Sequence, residues 1–86
     1  MEINITDFTR SEIYRPCTVL AAMHEILIGM SKGQKIKIDS MKGAFGETVQ
    51  VPYIRTSISK INKDIGIKVS TRATNNDYPV YIFRVY

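Results

Sequence analysis

Three observations in this 86-residue chain predict an α+β fold with two core helices and a C-terminal β-hairpin. Ile54, Ile58, Ile61 and Ile65 are spaced by four, three and four, which draws one narrow stripe along a helix. Val19, Leu20, Met23, Ile26, Leu27 and Met30 trace a second helical face. After Gly66 the apolar period drops to two. Ile67, Val69 and Thr71 alternate with Lys68, Ser70 and Arg72, and Val80 to Val85 is rich in aromatic and β-branched residues.

Taken in order, Glu2 to Thr6 alternates as a short edge strand or arm, and Thr6 or Asp7 is placed to cap a brief turn over Phe8, Thr9 and Arg10. Tyr14-Arg15-Pro16 breaks the chain, because a residue before proline avoids the helical region. The division expected is an N-terminal arm over 1–15 and one domain over 16–86. The first helix is predicted from Pro16 to Ser31, widened by Ala21 and Ala22 and stopped by Gly33. Lys35 to Asp39 alternates strictly, with Ile36 and Ile38 inward and the lysines outward, as in a half-exposed strand.

Ser40 to Val51 admits two readings. In one, Ser40 to Phe45 is a short helix that reaches the next helix through a turn at Gly46. In the other, Thr48 to Val51 is a strand pairing back on Lys35 to Ile38; two glycines in six residues weaken the helix. The main helix then runs from Pro52, whose missing N–H costs nothing in a first turn, to Ile65, with Gly66 as its left-handed stop. Ile67 to Arg72 is a strand, Ala73 to Asp77 a turn, and Val80 to Val85 the closing strand.

Hydrophobic residues make up 44% of the chain and charged ones 23%, which places it among folded rather than disordered sequences. No apolar run approaches the ~20 residues a membrane span needs, so no membrane partner is expected. The longest run, Val19 to Met30, contains His24, Glu25 and Gly29. Met1 to Ile5 lacks the basic start and apolar block of a secretory signal. A single cysteine, Cys17, allows no internal disulfide and reads as a small buried hydrophobe at the helix start; with no signal, a reducing, cytoplasmic setting is expected.

Catalytic constellations are missing from the pattern. Gly43-Ala44-Phe45-Gly46 lacks the Lys-Ser/Thr and spacing of a phosphate loop, and the eight acids are scattered singly. Cys17 and His24 stand two helical turns apart, roughly 10 Å, out of hydrogen-bond reach. His24 has no second His and reads as structural. The chain is expected to be no enzyme and to carry no cofactor or metal.

Charge points elsewhere. Residues 1–31 hold two bases and four acids, net −2, whereas residues 32–86 hold ten bases and four acids, net +6. That asymmetry suggests a polyanion partner for the C-terminal part. On the main helix the side away from the isoleucines carries Lys63 at roughly 170° from the stripe, Thr56 near 190°, Ser59 near 130° and Lys60 near 230°, with Arg55 flanking. These donors suit phosphates and base edges.

In element order, residues 16–86 resemble the winged helix-turn-helix domain. The local match is the helix end, Ile61, Ile65 and Gly66, running straight into Ile67-Lys68-Val69-Ser70-Thr71-Arg72. The glycine-interrupted second helix and the tip Asn75-Asn76-Asp77, which has no basic residue, depart from the pattern. The chain's small size also resembles phage-encoded small proteins, which would make the compartment a host cytoplasm. The resemblance implies a double-stranded DNA-binding transcription regulator. Its recognition helix would be 52–65 and its wing 67–85, with Arg55, Thr56, Ser59 and Lys60 toward bases or phosphates and Lys63, Lys68 and Arg72 on the backbone. It also makes a homodimer conceivable, with Glu2 to Tyr14 as an exchanged arm.

The alternative is a protein-interaction module, an inhibitor or accessory factor of another complex. Its basic helix face would meet an acidic surface, and Tyr78, Tyr81, Phe83 and Tyr86 would add anchors unless they pack under the sheet. Residues 40–51 discriminate: a helix there favours DNA, a strand favours a protein partner. Single-strand binding by the basic, aromatic C-terminal strands is a third reading.

Overall fold

Both predicted helices bury their apolar faces in one core. The computed structural model describes residues 1–8, 14–15 and 17–86. Strand β1 is Glu2–Asn4, helix α1 Val19–Gly29, strand β2 Lys35–Ile38, strand β3 Ser40–Lys42, helix α2 Val51–Ile65, strand β4 Val69–Ala73 and strand β5 Val80–Arg84. The architecture is α+β, with two small sheets.

Helix α1 is shorter than predicted at both ends. Thr18 is extended and its hydroxyl accepts the Ala21 N–H at 3.1 Å, so this N-cap starts the helix at Val19, not Pro16, and leaves Cys17 outside it at φ 60°. Pro16 itself lies outside the described residues. Met30 is extended and closes the helix, so Gly33 serves the turn after it, at φ 84°. The buried face is Ala21, Ala22, Met23, His24, Ile26 and Leu27.

Helix α2 keeps its predicted course. Val51 precedes Pro52 as the first helical residue, which still leaves the proline in the first turn, where its missing N–H has no helical partner to lose. Ile54, Ile58 and Ile61 are buried, Ile65 is half-buried, and Gly66 takes the left-handed stop at φ 70°.

Residues 40–51 follow neither alternative. Ser40–Lys42 is a strand, not a helix, and it pairs in parallel with β1, placing Ile3 beside Met41. Residues 43–46 turn back, Thr48 bridges Lys42, and the Val49 N–H donates to the Met41 carbonyl. The returning segment therefore makes a single bridge to β3 rather than a strand on β2, and Val51 already belongs to α2. A short 3-10 turn over Ile5–Asp7 is capped by Asn4, two residues before Thr6 and three before Asp7, the caps expected; of the turn expected over residues 8–10, residues 9 and 10 lie outside the described residues. Ile3 and Ile5, from the segment expected as an arm, join the common core.

The second sheet has the order β2-β5-β4, antiparallel throughout. Ile38, Val69, Val80 and Ile82 point to one face and are buried in the same cluster as α1 and α2, so the helices cover that face. Arg84 also turns inward, donating to the Leu27 and Met30 carbonyls at 3.2 and 2.6 Å, at the C-terminal end of α1. Among the described residues no helix is long and apolar enough to cross a membrane.

Candidate nucleic-acid interface

The outward residues of the three-stranded sheet form two registered rows. Lys35 pairs with Phe83 and Phe83 with Ser70; Lys37 pairs with Tyr81 and Tyr81 with Arg72. Alternation puts Lys68 on this side too, opposite Val85, whose N–H donates to the Lys68 carbonyl at 2.8 Å. Two aromatic rings thus run down the central strand with lysines on one flank and Lys68 and Arg72 on the other. Strands β2, β4 and β5 contain no acid.

These rings do not pack under the sheet. Tyr81 is 50% exposed, and Phe83 is half-buried with the Lys35 ammonium 5.8 Å from its ring centre, a cation–π contact. Tyr78, just before β5, is half-buried and its hydroxyl donates to the Val49 carbonyl. Tyr86 is exposed.

The seven predicted contact residues divide between two sides of the core. Thr56, Ser59, Lys60 and Lys63 are exposed on the solvent side of α2, opposite the buried isoleucines. The Thr56 hydroxyl donates to the Pro52 carbonyl at 2.9 Å, which occupies its proton. Lys68 and Arg72 are exposed on the outer sheet. Arg55 lies at the border: it lines a groove with Thr71, Arg72, Ala73, Thr74 and Tyr81, and its Nε is buried with no hydrogen-bond partner among the described residues. So the fold brings Arg55 to Arg72 and separates both from Lys60 and Lys63.

A second groove on the outer sheet is lined by Lys35, Ser70, Arg72, Tyr81, Ile82 and Phe83. Lys35 and Lys37 were visible in the sequence as outward lysines. The missing step was the pairing that sets them beside the aromatics of β5. Among the described residues, Asp39 forms the ion pairs, with the Met1 amine and with Lys37 at 3.5 Å. The Met1 amine beside Asp39, through a hydrogen bond first, holds that carboxyl below its usual range. Lys35, Lys60, Lys63, Lys68 and Arg72 have no ion pair there.

His24 is buried, edge-on to the Tyr14 ring at 5.2 Å. Among the described residues no three His, Cys, Asp or Glu side chains converge as a metal site would require. Comparison with protein-family models, curated proteins and solved structures gave no match to this chain.

Proposed function

We propose that this chain is a non-catalytic nucleic-acid-binding protein. The observation that carries the reading is a set of exposed cations without carboxylate partners: Lys60, Lys63, Lys68 and Arg72 have none among the described residues. Unpaired cations on two faces of the net-positive stretch 32–86 suit a phosphate backbone, whose counterions they release. The buried Arg55 Nε gains a partner if a phosphate oxygen enters the groove it shares with Arg72.

The winged helix-turn-helix mode is the duplex form of this proposal, with transcription regulation as its use. Helix α2 would enter the major groove through Thr56, Ser59, Lys60 and Lys63, and the 67–85 hairpin would lie along the backbone. The join through Gly66 into β4 supports it. Against it stands the strand at Ser40–Lys42, where the bracing helix of the motif belongs.

That strand is also what favours the second reading, a protein-interaction module, whose anchors would be the exposed Tyr53, Tyr81 and Tyr86. Anisotropy with a labelled duplex across a salt series separates these. In the duplex mode, Lys60→Ala/Lys63→Ala lowers the slope of log affinity against log salt by about 1.8, at about 0.9 per phosphate contact. An unchanged affinity and slope removes α2's solvent side from the contact. A partner retained after nuclease treatment, with no binding to any nucleic acid, makes the protein-interaction module the correct account.

A further inference from the structure

We propose that the outer face of the three-stranded sheet binds a single-stranded polynucleotide, with neighbouring bases stacked on Tyr81 and Phe83 and the phosphates held by Lys35, Lys37, Lys68 and Arg72. The inference rests on the nucleic-acid reading above and names the ligand's form.

The argument is geometric. Tyr81 and Phe83 stand two residues apart on the central strand, so their rings emerge on one face about 6.8 Å apart by strand rise. An extended single strand can lay successive bases on such a pair, and any base will do, since every base has a π-face. In a duplex those faces are hidden against neighbouring base pairs, so two rings on a flat sheet gain nothing from it. Tyr81 has Lys37 and Arg72 on its two edges at the inter-strand spacing of about 4.8 Å, while Phe83 has Lys35 on one edge and Ser70 on the other, with Arg72 and Lys68 diagonal to it. The three strands contain no acid, and Asp39, just after β2, is shared between the Met1 amine and Lys37. Lys35 rests over the Phe83 ring in the free chain. Displaced by a base, it is the cation nearest to that nucleotide's phosphate.

The hydrogen-bonded register fixes this arrangement. Lys37, Tyr81 and Arg72 lie on three consecutive strands in one row, as do Lys35, Phe83 and Ser70. The face therefore keeps its spacing without a ligand, and binding does not have to order it.

The test uses the full chain with fluorescein-labelled oligo-dT and oligo-U of about 12 nucleotides, within the usual single-strand site sizes, and a duplex of equal length. Binding to oligo-dT, oligo-U or both, about tenfold tighter than to the duplex, is expected. Tyr81→Ala weakens it about 5- to 150-fold, the range for one stacked base, while Tyr81→Phe keeps it and Tyr81→Leu does not. Lys35→Ala/Lys37→Ala lowers the salt slope by about 1.4, at about 0.7 per cation for single strands. Circular dichroism of each variant separates lost contacts from lost folding. Duplex binding that is as tight or tighter, and indifferent to Tyr81, overturns this inference and leaves the nucleic-acid reading standing. Binding to none of the three probes, with an acidic protein retained after nuclease treatment, overturns both.

Discussion

The solvent side of α2 and the outer side of the sheet are both basic, yet they present charge in different shapes. On α2, Lys60 and Lys63 project about 60° apart around a convex rod, beside Thr56, Ser59 and the exposed Tyr53. On the sheet, four cations frame two rings on a flat lattice fixed by strand pairing. A convex element fits a groove; a flat one with free aromatic faces fits an unstacked strand. Charge of one sign therefore does not imply one kind of ligand, and the backbone beneath the charge makes the choice.

Three variants test how far the two sides are independent. Both rest on one core, so the largest effect belongs to Ile61→Ala, a fully buried residue of α2. It is expected to cost about 2–5 kcal/mol in urea unfolding, and both sides should lose binding at the same urea concentration. A cost below about 1 kcal/mol would mean that α2 is not seated as described.

Arg84→Met comes next. It removes a cation from β5 without touching the outer face, because Arg84 is committed to the Leu27 and Met30 carbonyls. Stability should fall by about 1.5–3 kcal/mol, the range for charged hydrogen bonds, while affinity and salt slope stay unchanged. A reduced slope would show that total charge matters more than its position.

The smallest effect concerns Tyr78, which ties the start of β5 to the chain before α2. Burial first, reinforced by the charge of Asp77 and partly offset by a backbone hydrogen bond at Met41, raises its phenol above the ordinary value of 10.0. The folded chain thus keeps this proton to higher pH than the unfolded chain does. The stabilisation is complete below about pH 10 and is lost as pH rises through the folded value. Tyr78→Phe should cost about 0.5–1.5 kcal/mol at neutral pH and flatten the alkaline decline in thermal unfolding. A decline as steep as in the parent chain would assign the alkaline sensitivity to another group.

Much of this was legible in the sequence where order is local. The isoleucine spacing, Pro52 and Gly66 defined α2 almost to the residue, and alternation identified β2, β4 and the inward phase of Val69. The stretch from Ser40 to Val51 was not legible, because its strand is short and its partner is β1, far away in sequence. Glycines at 43 and 46 argued against a helix but could not reveal a parallel neighbour. The candidate site divided for a related reason. Helical angles place Lys63 and Thr56 together, but no local pattern tells that Arg72 shares a face with Lys37 across Tyr81. That knowledge requires the register of three strands. The sequence also left the aromatic residues of β5 undecided between core and surface, although Val80 and Ile82 between them supply the inward positions.

The parallel pairing of β1 with β3 has a consequence for the growing chain. Glu2 is made before its partner Ser40, and a parallel pair has no tight turn to close it locally. Until β3 has been synthesised, Ile3 has no Met41 to lie beside and the backbone of β1 has no ladder. The earliest strand in the sequence thus completes its sheet only after α1 and β2 have been made, whereas β4 and β5, joined through a short turn, can pair as soon as both exist.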